Sequence, residues 1–395
     1  MNFLDRFKKE KPVVLHHGVY KKTESTWSAV FIIVGTTIGA GVLGVPYVIA
    51  QVGLKIGLLY ILILGIVMLF LNLMIGEIAV RTKKPMHLPG FAKRYIGGWA
   101  KDIVSLTVLL TGAGVLLAYV IGEGRALSEV FGGNPRWWSM FFWSIGSFLI
   151  WRGLQTVKNV EKIASIIVLL ILGGLSFYLL GFFDSSNWEY YNFAKIFLPY
   201  GVILLALRGT SAIAEAHALL PGNPGKFRTA VILGSIIPTA CYILFAFASV
   251  GVLGLGTTEV VTVGLGRTLG SAILIIGNLF AILAMFTSFM GIGIALKQTL
   301  VWDHKLKPWL AFMLVIIPPA ILFLAGFTDF VNVLDFVGGL FVSVESVFVV
   351  FIYWKAKQVG DLDPGKFNLH YAWLLTIPVF LVFTFFTIYS IFRMF

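Results

Sequence analysis

The chain has 395 residues, 58% hydrophobic and only 12% charged, with a formal net charge of +12 and a single cysteine, Cys241. Soluble domains hold roughly 45–50% apolar residues even with glycine included and about 25% charged ones, so the composition excludes a soluble globular domain and points to an integral membrane protein. One cysteine excludes an internal disulfide framework and a cysteine-based metal site. The basic residues lie in short breaks between apolar runs, where the positive-inside rule accounts for them without nucleic acid.

Residues 1–25 are basic and lack the apolar stretch of a secretory signal, so they read as a cytoplasmic tail. The first spanning run, 27–50, carries "GTTIGAGVLGVPY" at its centre, with Gly35, Gly39, Gly41 and Gly44 and then Pro46. Glycine weakens a helix interior by roughly 1 kcal/mol and proline by about 3. Backbone unwound within a bilayer survives only where it lines a cavity or holds a ligand. The stretch therefore reads as a broken helix. Gly39, Ala40 and Gly41 admit a ligand close to the backbone, and Thr36 and Thr37 add hydroxyls. The N-terminus of the following half-helix offers N–H groups and a positive dipole end to a carboxylate. Gly35 and Gly39 also have the spacing of a small-xxx-small packing contact.

Ten further spans are expected, at 54–80, 102–131, 137–155, 161–183, 196–219, 227–255, 271–300, 308–327, 331–354 and 370–393. An odd total of eleven puts the termini on opposite sides. With the N-terminus cytoplasmic, 23 of the 30 Lys and Arg fall on that side and six on the other, leaving only Arg208 inside a span. Two segments are too short to cross: "MHLPGFAKRYIGGWA" after the second span and "TTEVVTVGLGRTLG" after the seventh. Each follows the second helix of a five-helix unit. Span 6 is interrupted by "LLALRGTSAIAEA" as span 1 is by its glycines. The expected organisation is thus a tail (1–25), two five-helix units in inverted orientation (26–183 and 184–355), and an added eleventh helix (356–395). Glycine-interrupted spans at matching places in two halves mark the binding site of a transporter.

Other polar residues have two uses open to them. Arg208 is costly at mid-membrane and either meets a substrate carboxylate or pairs with an acid such as Glu345. Glu345, between Ser343 and Ser346 in span 10, is that partner or a proton site. Glu77 lies near a span end and is expected to pair with neighbouring bases. In span 8, Ala284, Thr287 and Ser288 at i, i+3 and i+4 share one helical face. No histidine pattern of a metalloenzyme and no Walker A loop occurs, which argues against a membrane enzyme and an ATP-driven pump. A channel and a transporter-like receptor remain as class alternatives.

"GTTIGAGVLGVPY" resembles the first-helix signature of the amino acid/auxin permease group of the amino acid-polyamine-organocation superfamily. "RGTSAIAEAHALLPGNPGKFRTAVILG" resembles its sixth-to-seventh-helix passage, and "AMFTSFMGIGIAL" the eighth helix of bacterial aromatic amino acid permeases. The resemblance implies an all-α LeuT-like fold and transport of an amino acid across the lipid bilayer. It puts the substrate at Thr36, Thr37, Gly39, Ala40, Gly41, Tyr119, Ala206, Leu207, Arg208, Ser288 and Ile292. The small or apolar Ala40, Ala206, Leu207 and Ile292 favour a neutral substrate. It further implies a sodium ion held by carbonyls of Gly35, Ile38 and Ala284 and hydroxyls of Thr287 and Ser288, five neutral oxygens suited to a hard monovalent cation. The same hydroxyls have the option of bonding back to their own helix. A proton-coupled relative would carry a lysine in span 5 in place of the ion, and "IASIIVLLILGG" has none. Sodium-coupled symport is the expectation, proton coupling the alternative, and no further cofactor is implied.

Overall fold

The computed structural model describes residues 25–84, 86–152, 154–370 and 372–393; the basic tail of residues 1–24 lies outside them. The architecture is all-α. In chain order the helices are α1 (Thr26–Thr37), α2 (Gly41–Val52), α3 (Leu54–Arg81), α4 (Leu88–Tyr95), α5 (Gly98–Phe131), α6 (Pro135–Arg152), α7 (Leu154–Leu179), α8 (Pro199–Ala206), α9 (Thr210–Leu219), α10 (Pro224–Leu253), α11 (Val261–Leu269), α12 (Ser271–Trp302), α13 (Pro308–Leu324), α14 (Phe330–Phe336), α15 (Ser343–Val359) and α16 (Ala372–Phe392).

Eight helical segments among the described residues are long and apolar enough to cross a membrane, and α1 with α2, bent by 54° at their break, form a ninth. The apolar α13 is shorter, and α6 carries seven aromatic residues beside its terminal arginines. The short segments expected not to cross are the eight-residue α4 and the nine-residue α11.

The distribution of side chains is that of a protein solvated by lipid. Asn72, Thr111, Ser288 and Glu345 are buried, while Leu59, Leu170, Phe177 and Leu381 face outward. Six exposed tryptophans, Trp27, Trp99, Trp137, Trp151, Trp309 and Trp373, each lie within two residues of a helix end. An indole there keeps its ring in hydrocarbon and its N–H among headgroups. Only 17% of the α16 window is buried, so this helix is peripheral.

The breaks have local causes. Helix α1 starts at an N-cap where the Ser25 hydroxyl accepts the Ser28 N–H at 3.2 Å, and it ends where Ile38 turns to extended backbone. Three residues, Leu207–Gly209, separate α8 from α9. Span 10 carries a feature absent from the sequence reading, a π-helical turn at Val337–Val342 between α14 and α15. This turn meets α8 backbone to backbone: a Cβ at Gly338 would collide with the Gly201 carbonyl oxygen, and one at Gly201 with that of Asp335. Glycine at both positions lets α8 sit against the scaffold and brings its C-terminal end to the α1–α2 break.

Candidate functional site

At each break, carbonyls leave the helical ladder, and a polar group left unsatisfied in hydrocarbon costs several kcal/mol. Two side-chain hydroxyls serve four of these carbonyls. Ser288 Oγ on α12 lies 3.2 Å from the Gly35 carbonyl oxygen and 3.1 Å from that of Ile38. Tyr242 Oη on α10 lies 2.9 Å from the Thr37 carbonyl oxygen and 3.2 Å from that of Ala206. The tyrosine therefore ties the end of α1 to the end of α8. Nothing in the motif reading singled it out, although a lone phenol in the apolar run "CYILFAF" needs a partner for its hydroxyl and was the available signal.

Between the breaks lies a central cavity of about 20 Å³, lined by Thr36, Thr37, Gly39, Ala40, Gly41, Tyr119, Ala206, Arg208 and Ile292 together with Val115, Leu205 and Leu334. Nine of the eleven residues expected at the substrate thus converge on one space. Leu207 is buried beside it without lining it, and Ser288 is turned to the α1 carbonyls. Val115 and Leu334 were invisible to motif reasoning because they are ordinary apolar residues of α5 and α14. The approach is tight: a Cβ at Gly39 would collide with the Tyr119 hydroxyl and lie 2.9 Å from Ser288 Oγ, and one at Gly41 would lie 2.6 Å from Ala206 Cα. The Tyr119 hydroxyl and Ser288 Oγ thus both close on the Gly39 backbone.

Arg208 stands in the α8–α9 break and pairs with Glu345 at 2.7 Å. Glu345 also accepts the Thr111 hydroxyl at 2.6 Å, so the pair links the break to α5 and α15. Pairing offsets the cost of a buried cation. Arg208 remains a wall of the central cavity all the same, so its two possible roles are compatible. Glu77, fully buried, holds Arg81 at 2.7 Å, Lys357 at 3.4 Å and the Tyr353 hydroxyl at 2.9 Å, a structural cluster distant in sequence from the breaks.

On the other flank of α1, Val34, Gly35, Ile38 and Thr287 face Ser165 and Val168 of α7 across a small crevice. Thr287 Oγ1 bonds back to the carbonyls of Leu283 at 3.0 Å and Ala284 at 3.1 Å, whereas Ser288 bonds across to α1. The two hydroxyls divide between the alternatives read from the sequence. Gly35, Ile38, Ala284, Thr287 and Ser288 form one connected patch of neutral oxygens. Ser165 of α7 is the added polar neighbour.

Comparison with known proteins gives the family and the fold. The model of the tryptophan/tyrosine permease family matches residues 22–390. A "Tyrosine-specific transport system 1" of Haemophilus influenzae is 24% identical over 370 residues, spanning 86% of this chain and 90% of the relative. A "Glutamine transporter 2" of Aliivibrio fischeri is 24% identical over 377 residues, spanning 87% and 92%. Among solved structures, MhsT in complex with L-phenylalanine superimposes with a TM-score of 0.69 over 94% of this chain and 99% of its own, at 13% identity. That likeness shows an all-α, LeuT-like fold.

Proposed function

The chain belongs to the tryptophan/tyrosine permease family, and from that premise we propose that it is a secondary transporter that carries a neutral amino acid, an aromatic one foremost, together with sodium by alternating access. The spans are eleven, arranged as five plus five inverted with α16 added. The end of the bundle holding α4 faces the cytoplasm, and the C-terminus faces outside.

The observation that carries the reading is the pair of breaks bridged by Tyr242 and walled by Gly39, Ala40, Gly41 and Ala206. The amino acid's carboxylate meets the start of α2, where N–H groups and the helix dipole favour an anion. Its side chain lies toward Val115, Leu205, Ile292 and Leu334, which offer no charge, and so a neutral side chain is preferred. A cavity of about 20 Å³ is near the size of a single water site, so loading requires α1–α2 and α8–α9 to move away from α5 and α12. Sodium would take carbonyls of Gly35, Ile38 and Ala284 and the Thr287 and Ser288 oxygens, with the hydroxyl protons turned away. The tyrosine and glutamine relatives and the phenylalanine complex support the substrate class.

Proton coupling is favoured by a different observation: Glu345 is a buried acid whose pairing with Arg208 a proton would break. Uptake of tyrosine, phenylalanine and glutamine into proteoliposomes, with sodium replaced by choline at constant pH and then with an imposed pH gradient, separates the two. Sodium coupling predicts loss of accumulation in choline. Undiminished uptake that follows the pH gradient would overturn it, and absence of amino acid uptake under every gradient would overturn the transporter reading.

A further inference from the structure

A second cavity, of about 50 Å³, lies between the central one and the end of the bundle that carries α4. Arg208 and Ile292 are walls of both. The side chain of Arg208 is 9% exposed and only its Nη2 engages Glu345; Nε is buried and has no hydrogen-bond partner. Ser211 Oγ, in the same cavity, is likewise buried without a partner. Both are donors. Thr210 and Ser211 form the first turn of the ten-residue α9, whose N-terminal N–H groups and dipole add to the same positive character. No Asp or Glu lines the cavity; Val108 and Leu296 bring apolar surface to it, and the other polar residues of its wall are His87 and Thr299, whose hydroxyl donates to the Ala295 carbonyl at 2.9 Å.

Unpaired buried donors are costly, and a guanidinium, a hydroxyl and a helix start converging on one space have an anion as their common complement. The volume is enough for a carboxylate and too small for a whole amino acid. We propose that this cavity is a second binding site, for the carboxylate of the amino acid as it leaves the central site toward the α4 end. The proposal rests on the transporter reading and its orientation. On release, the carboxylate passes from the start of α2 to Arg208 Nε and Ser211 Oγ, and Arg208 keeps Glu345 on Nη2 throughout. A small inorganic anion such as chloride has the same chemistry, and the experiment separates the two.

The test uses the full chain in proteoliposomes, with phenylalanine or tyrosine supplied on one face at a time and the protein population sided by a face-specific label. Ser211→Ala removes a hydroxyl that makes no internal bond, so the melting temperature should be unchanged. Half-saturation from the α4 face should rise about ten-fold, the worth of one hydrogen bond to a charged group. Half-saturation from the opposite face should stay within two-fold, and Ser211→Thr should restore the α4-face value. An equal rise on both faces would make Ser211 part of the central site, and no rise on either would remove the second site. Should wild-type half-saturation at the α4 face shift when isethionate, which carries no carboxylate, replaces chloride, the cavity belongs to an inorganic anion and the carboxylate assignment is overturned. If the wild type transports no amino acid from either face, the transporter reading falls and this site with it.

Discussion

Replacing Gly41 by alanine probes the contact on which the central site depends. The added methyl would lie 2.6 Å from Ala206 Cα and 3.4 Å from Ala206 N, besides colliding with the Ala206 side chain. Carbon atoms pack at about 3.5–4.0 Å, so the start of α2 and the end of α8 must separate by about 1 Å, and the obstacle is backbone that cannot rotate away. Overpacking of this kind costs about 1–3 kcal/mol, and alanine's better helix propensity returns up to about 1. Stability should therefore fall by no more than about 3 kcal/mol. Binding should suffer more visibly, because the Tyr242 hydroxyl holds the carbonyls of Thr37 and Ala206 together and loses one of them as the gap widens. The dissociation constant should rise about ten-fold, equivalent to about 1.4 kcal/mol. Equilibrium binding of tyrosine or phenylalanine to purified protein, alongside a thermal melt, measures both quantities. Gly174→Ala on α7 is the control, since a Cβ there meets nothing within 4 Å; it should melt at or above the wild-type temperature and bind normally. A Gly41→Ala protein with wild-type affinity and melting temperature would refute the claim that this approach builds the site.

Tyr242→Phe keeps the ring and leaves two buried carbonyls unserved, at about 1–3 kcal/mol; both melting temperature and substrate affinity should fall, and a protein unchanged in both would show that the hydroxyl joins nothing of consequence. Arg208→Met strands a buried carboxylate and should destabilise by about 3–5 kcal/mol, whereas Arg208→Met with Glu345→Gln should recover most of that stability without recovering transport. A double variant as unstable as the single one would disprove the pairing as the source of the loss. Outside the membrane-spanning helices, burial pushes Asp303, which accepts the Gly90 N–H at 3.1 Å, up to about 6. The folded state then holds this proton more tightly than the unfolded chain, so its contribution is full below about pH 4 and lost as pH rises through 6; the melting temperature should drop between about pH 4 and 6, and Asp303→Asn should flatten that slope.

Several features were legible in the sequence because they are local. Long apolar runs must be helices in a bilayer, where every backbone group has to bond within its own segment. Glycines and threonines at 35–41 and the glycine after Arg208 announce breaks because their helix-weakening cost requires a use. The i, i+3, i+4 spacing puts Ala284, Thr287 and Ser288 on one face of α12 whatever surrounds them. What the tertiary structure alone decided are the pairings across distance. Tyr242 lies 205 positions from the carbonyl of Thr37, and Glu345 lies 137 from Arg208 and 234 from Thr111. Ser288 bonds to α1 while Thr287 bonds to its own helix, a division set by the rotation of α12 against α1. The backbone contact of Gly201 with Gly338 and the shared wall of the two cavities at Arg208 arise the same way. Periodicity specifies what a helix presents to its neighbours, and packing specifies which neighbour receives it.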